Sequence, residues 1–162
     1  MLDDVLEMWR THDEINFYLL RHIPDDGFGA CTLLKNGQPS KGRNVARMFR
    51  HMHEARRQHV GREFLTGIPH FEDDAEPSRD ELLDAFMKCS KGIEQRLARI
   101  VEERSPGKGR PALVVLGAMI SHDSHHRGQI VLALKQSGVR IPEQVKFGIW
   151  MHWGKPEPKI LE

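Results

Sequence analysis

What this chain has little of narrows it first. Its 162 residues include only two cysteines, Cys31 and Cys89. They are far apart in sequence and in no metal-binding spacing, so a disulfide scaffold and a thiolate zinc knot are excluded, and both read as reduced cytosolic thiols. Charge of one sign is missing too. Twenty-four Lys and Arg face 23 Asp and Glu for a formal net charge of +1, so no global field draws the chain to nucleic acid or an anionic membrane. The basic residues Arg43, Arg47, Arg50, Arg56, Arg57 and Arg62 carry no interleaved aromatics and read as a solvated helix face. Long apolar runs are absent: the longest uncharged stretch, Pro111 to Ser121, is too short for a bilayer. The opening Met1-Leu2-Asp3-Asp4 has acids where a secretory signal needs positive charge. The expected location is cytoplasmic, with no membrane and no nucleic-acid partner.

There is also no strand-like alternation, internal repeat or low-complexity segment. At this length the prior is a single domain, spanning 1–162, with a core large enough to stand without a structural metal. Any metal it holds would then be functional.

What is present is helical periodicity. Leu2, Val5, Leu6, Trp9, Leu19 and Leu20 mark a first amphipathic helix to about Arg21, stopped by Pro24, with His12 and Asn16 in the gap of its stripe. After a loop bearing glycine and proline, Ser40 is the expected N-cap of a second helix to about Val60. Its stripe is Val45, Met48, Phe49, Met52 and Ala55, with His51 and His53 beside it. Gly61 to Pro77 reads as a long crossover. Ser78-Arg79-Asp80-Glu81 matches a capping box, followed by the stripe Leu82, Phe86, Cys89, Ile93, Leu97 and Ile100. Pro106, Gly107 and Gly109 break that helix, and Pro111 opens a fourth that runs to a glycine stop at Gly138. A short helix around Glu143 to Phe147 leads into the aromatic cluster Phe147 to Trp153, expected to lie over one end of the core as a lid. Four long helices with a C-terminal appendage predict an all-α fold, a four-helix bundle.

The chemistry concentrates in His122-Asp123-Ser124-His125-His126-Arg127-Gly128-Gln129. His122 and His126, four apart, project from one helix face with the spacing a single ion needs, and a third ligand must come from elsewhere. Without partners, two buried imidazoles would each cost on the order of 1 to 3 kcal/mol. The same spacing occurs in the His-Glu-x-x-His peptidase motif, but Asp123 stands where that motif has glutamate, and its side chain is a methylene shorter.

The run His-x-x-x-His-Arg-Gly-Gln on a late helix, the histidine-bearing segment Val45 to Val60 and the tail Phe147 to Trp153 together resemble the DinB/YfiT-like superfamily of metalloenzymes over nearly the whole chain. The resemblance implies up-down-down-up connectivity and a three-histidine site for a divalent ion, often nickel or zinc. Periodicity does not separate His51 from His53 as third ligand. The segment Met48-Phe49-Arg50-His51-Met52 matches the family pattern with His51, giving His51, His122 and His126 as the metal set. All-imidazole sites accept several first-row ions, so iron and manganese stay open beside nickel and zinc. Three protein ligands leave positions for water or substrate. Characterised members imply a thiol-dependent transferase, acting on a small molecule with bacillithiol, mycothiol or glutathione, and a homodimer paired through two long helices. The competing reading is a dimeric bundle of stress response or binding that does no catalysis.

The neighbours of the run carry their own expectations. His125 lies off the ligand face and should meet solvent. Asp123 is expected as a solvated acid rather than a group orienting a neighbour. Arg127 should form a fixed salt bridge or cap carbonyls, Gly128 should permit close helix packing, and His12 and Asn16 should make a partly buried polar contact, with lining of the cavity as the alternative. Neither cysteine has a base or cation beside it in sequence to make it a nucleophile.

Overall fold

A computed structural model of the chain describes residues 1–103, 109–151 and 153. It is all-helical, with five α-helices and no strand among the described residues: α1 (Leu2–His22), α2 (Val45–Arg57), α3 (Arg79–Glu102), α4 (Ala112–Gln136) and α5 (Glu143–Met151). Two short 3-10 turns, Asp25–Gly27 and Arg62–Phe64, and one isolated bridge between Leu33 and Pro39 sit in the connections. No helix among the described residues is long and apolar enough to cross a membrane.

Local chemistry sets the helix ends. Ile23 takes an extended conformation (φ −72°, ψ 126°), because the ring of the following Pro24 disfavours the helical region, and α1 stops there. Ser78 Oγ accepts the Glu81 amide while the Glu81 carboxylate accepts the Ser78 amide at 2.8 Å, so the expected capping box opens α3. Gly138, at φ +75°, closes α4 in the left-handed conformation that glycine adopts without strain, and the Val139 amide returns to the Leu134 carbonyl.

Two expectations need correction. The cap of α2 is Asn44, whose Oδ1 accepts the Arg47 amide at 2.9 Å, not Ser40. Ser40 is held in the preceding loop, its hydroxyl 2.8 Å from that of Thr32 and its amide bonded to the Thr32 carbonyl, so α2 starts later, and it also ends at Arg57, short of Val60. The aromatic tail is no lid. On α5 the helical period turns Val145 and Gly148 inward, Gly148 against the Tyr18 ring, and leaves Phe147 and Trp150 61% and 78% exposed, with Trp153 also exposed. His152 of that cluster, and Pro106 and Gly107 of the predicted break before α4, lie outside the described residues.

Helices α3 and α4 each pack against both α1 and α2, and α5 packs on α1. The apolar core falls into two clusters. One gathers Tyr18, Leu19, Phe49, Met52, Phe86 and Leu134, the other Val5, Trp9, Ile93, Leu97, Leu116 and Met119. Each such side chain, fully buried, contributes roughly 1.5 to 3 kcal/mol. On each long helix buried polar residues fall between these clusters, His12, Asp13 and Asn16 on α1, Arg56 on α2, Ser90 on α3, and Asp123, His126 and Arg127 on α4, while Arg50 and His53 of α2 are buried outside this set. This polar belt positions the site.

Candidate metal centre

His51 lies in the middle of α2, and His122 and His126 lie one turn apart on α4, which α2 packs against. One ring nitrogen from each falls within 4.8 Å of the other two. The Nε2 atoms of His51 and His122 are 3.3 Å apart. Ring centroids are separated by 5.2 Å (His51 and His122), 4.8 Å (His51 and His126) and 4.5 Å (His122 and His126). Two ligand nitrogens about 2.0 to 2.1 Å from a tetrahedral ion stand about 3.3 to 3.4 Å apart, so the Nε2 pair already has the separation of two ligands.

The rings are also in the right charge state. Burial, followed by the charge of Arg43 and the two neighbouring rings, pushes the His51 imidazole down to about 4, and burial likewise lowers His126. Both are therefore neutral at neutral pH, and a neutral imidazole is the form that binds metal. The donor set thus fits a divalent ion: three imidazoles from two helices, with burial holding those of His51 and His126 uncharged, and no thiolate among them.

His53 takes no part. It is fully buried on the other side of α2, its Nε2–H donating to the Pro69 carbonyl at 2.9 Å and its ring against Phe71 and Phe86. His125 is exposed, its ring beside that of His126 but outside the cluster, and neither cysteine belongs to it.

Directly behind His122 stands the polar belt. Asp123 is completely buried, which overturns its reading as a solvated acid. Its Oδ1 accepts from His122 Nδ1 at 3.2 Å, and its Oδ2 accepts from Arg56 Nε at 2.8 Å and His12 Nε2 at 3.0 Å. Burial opposes the charge on Asp123, but Arg56 and the bonds from His12 and His122 outweigh it and hold the carboxyl far below the usual carboxylate range. Arg56 also pairs with Asp13 and lies over the rings of Trp9 and Phe86, at 5.0 and 4.5 Å to their centroids. It is 1% exposed, so the arginines of α2 are not all a solvated face. Arg50 is buried too, reaching out to Asp73.

Arg127 is fixed by neutral partners rather than by the expected salt bridge or carbonyl cap: Asn16 Oδ1 at 2.8 Å and Ser124 Oγ at 2.7 Å. His12 and Asn16 make the buried polar contact, both bonding Asp123 within the belt. Gly128 does not admit a close helix either, because a Cβ placed there would meet nothing within 4 Å.

The decisive comparison covers almost all of this architecture: a family model described as DinB family matches residues 1–157 of the 162. The chain belongs to the DinB family. No curated protein matches it. In this DinB chain the residues that carried the resemblance are divided between two jobs. His51, His122 and His126 form the cluster, while Arg127, joined by its neighbour Asp123 from outside the motif, knits α4 to α1 and α2.

Proposed function

We propose that this DinB-family chain is a metal-dependent, thiol-using transferase acting on a small molecule, with one divalent ion held by His51, His122 and His126. Nickel or zinc is the first expectation for the ion and iron or manganese the alternative. The observation that carries the reading is the convergence of three imidazoles within 4.8 Å, from two helices, at a half-buried position. A structural site would be closed by a fourth protein ligand, and a three-donor set leaves coordination free for chemistry. Bound there, an ion would supply a Lewis acid able to lower the pKa of a thiol or a water. The chain's own part is to orient the three rings, keep those of His51 and His126 uncharged, and add the positive charge of Arg43, felt at His51, which favours a thiolate or another anion at the mouth.

The proposal includes a four-helix bundle of up-down-down-up connectivity with α5 as the appendage. It includes a homodimer as well, supported by the exposed apolar side chains Leu113, Val114 and Leu132 on the outer face of α4. Elemental analysis of the purified protein tests the metal reading. A single divalent ion per chain is expected in the wild type and in His53→Ala, and loss of it in His51→Ala and His122→Ala. A metal-free wild type, or metal content unchanged in His122→Ala, refutes the site. With the loaded protein, saturable binding of glutathione, bacillithiol or mycothiol is the expected result, and no binding of any of them removes the thiol.

A further inference from the structure

The three histidines are not held alike. His122 Nδ1 faces the Asp123 carboxylate, and His126 Nδ1 lies 2.8 Å from Gln129 Oε1. Both of those oxygens act as acceptors, since the Asp123 carboxylate is paired with the Arg56 guanidinium through its other oxygen and an amide oxygen has no proton to give. Each ring must therefore carry its proton on Nδ1. A neutral imidazole has only one, so Nε2 of His122 and Nε2 of His126 both present lone pairs. His51 differs: among the described residues its one hydrogen-bond partner is His122, Nε2 to Nε2 at 3.3 Å.

From this we infer that Asp123 and Gln129 are positioning residues for the metal centre, each fixing one histidine in the Nδ1–H tautomer with Nε2 turned to the ion. The inference rests on the three-histidine reading proposed above. The two residues act with unequal force. Asp123 is a charged acceptor, locked from behind by Arg56 and His12 so that its second oxygen has one direction left. Gln129 is a neutral acceptor one turn beyond His126 on the half-buried surface of α4. A hydrogen bond to the distal nitrogen of a ligand histidine sets its orientation and raises its basicity, and a carboxylate does so more strongly than an amide. The site therefore has two rings with predetermined lone pairs. It has a third, His51, whose Nε2 proton is the one shared with His122. His51 joins the ligand set by moving that proton to Nδ1.

Asp123 is too embedded for a clean deletion, because removing it would strip the buried Arg56 of one of its two carboxylate partners. Gln129 carries the mutational arm instead, and the tautomers themselves carry the arm for Asp123. Long-range proton–nitrogen correlation spectra of the metal-free, 15N-labelled protein should show His122 and His126 in the Nδ1–H form, and Gln129→Leu should shift His126 alone toward Nε2–H. Titrated with cobalt(II), followed by its visible absorption, Gln129→Leu should bind roughly 10- to 100-fold more weakly than the wild type, and Gln129→Glu, which keeps an acceptor, within about threefold of it. An Nε2–H pattern at His122 or His126 in the wild type overturns the inference. So does cobalt affinity of Gln129→Leu within about twofold of the wild type. Either result leaves the metal site standing, whereas a wild type that takes up no cobalt overturns the site itself.

Discussion

Arg56→Met is the substitution that most directly tests whether the polar belt is a closed electrostatic unit. The methionine keeps apolar volume against Trp9 and Phe86 but removes the cation bonded to both Asp13 and Asp123, at a position 1% exposed. Breaking a buried pair from one side costs about 3 to 5 kcal/mol, because the partner charge stays behind. For a domain of this size that corresponds to a fall in Tm of about 6 to 20 °C. The sign of the pH dependence follows from Asp123. In the wild type its carboxyl lies well below the ordinary range, so its contribution to stability is fully present above about pH 4 and is lost only as pH falls further. In Arg56→Met burial dominates and raises the same carboxyl, so lowering the pH from 7 to about 5 relieves the variant and leaves the wild type unchanged at this group. Urea unfolding of both proteins, chelator present, at the two pH values gives the answer. A stability difference under about 1 kcal/mol at pH 7, or one that does not shrink at pH 5, would refute the account of the belt.

Two further outcomes are expected. Gly128→Ala should stabilise the protein by about 1 kcal/mol, since mid-helix glycine carries that cost and the added methyl meets open space; a lower Tm would put another surface against that glycine. In native protein a thiol reagent should modify Cys31 and spare Cys89, whose thiol burial pushes up to about 12, and equal reaction of both would contradict the packing of α3.

The helices were legible because their stripes and caps are local. Leu82, Phe86, Cys89, Ile93 and Leu97 repeat at helical spacing behind a capping box, and all are buried as that spacing requires. Ser40 and Asn44 are both good capping residues, and the choice between them lies in a loop contact, Ser40 with Thr32, that no periodicity encodes. On the tail, composition suggested an aromatic lid, but helical phase decides which residues turn inward, and it selects Val145 and Gly148. His122 and His126 were visible from a four-residue spacing within one helix. His51 needed the family resemblance, since His53 shares its stripe and is distinguished by a carbonyl 16 residues away at Pro69. Arg56 was the hardest to see. Its position continues the inward series Phe49, Met52 and His53, yet an arginine there reads as surface until its partners are known, and Asp13 and Asp123 stand 43 and 67 positions away. The phase of the stripe was the usable signal, and residue type concealed it.

The seam between α2 and α4 has one more consequence. His51 and His122 are 71 residues apart along the chain, with all of α3 and both of its connections between them. An unfolded chain does not hold these rings together, so an ion that bridges them binds the folded state and shifts the folding equilibrium by mass action. At a free concentration a hundredfold above its dissociation constant, that shift is about 2.7 kcal/mol. The persistence of the fold would then track the supply of free metal around it, and a chelator would act on this protein as a mild denaturant.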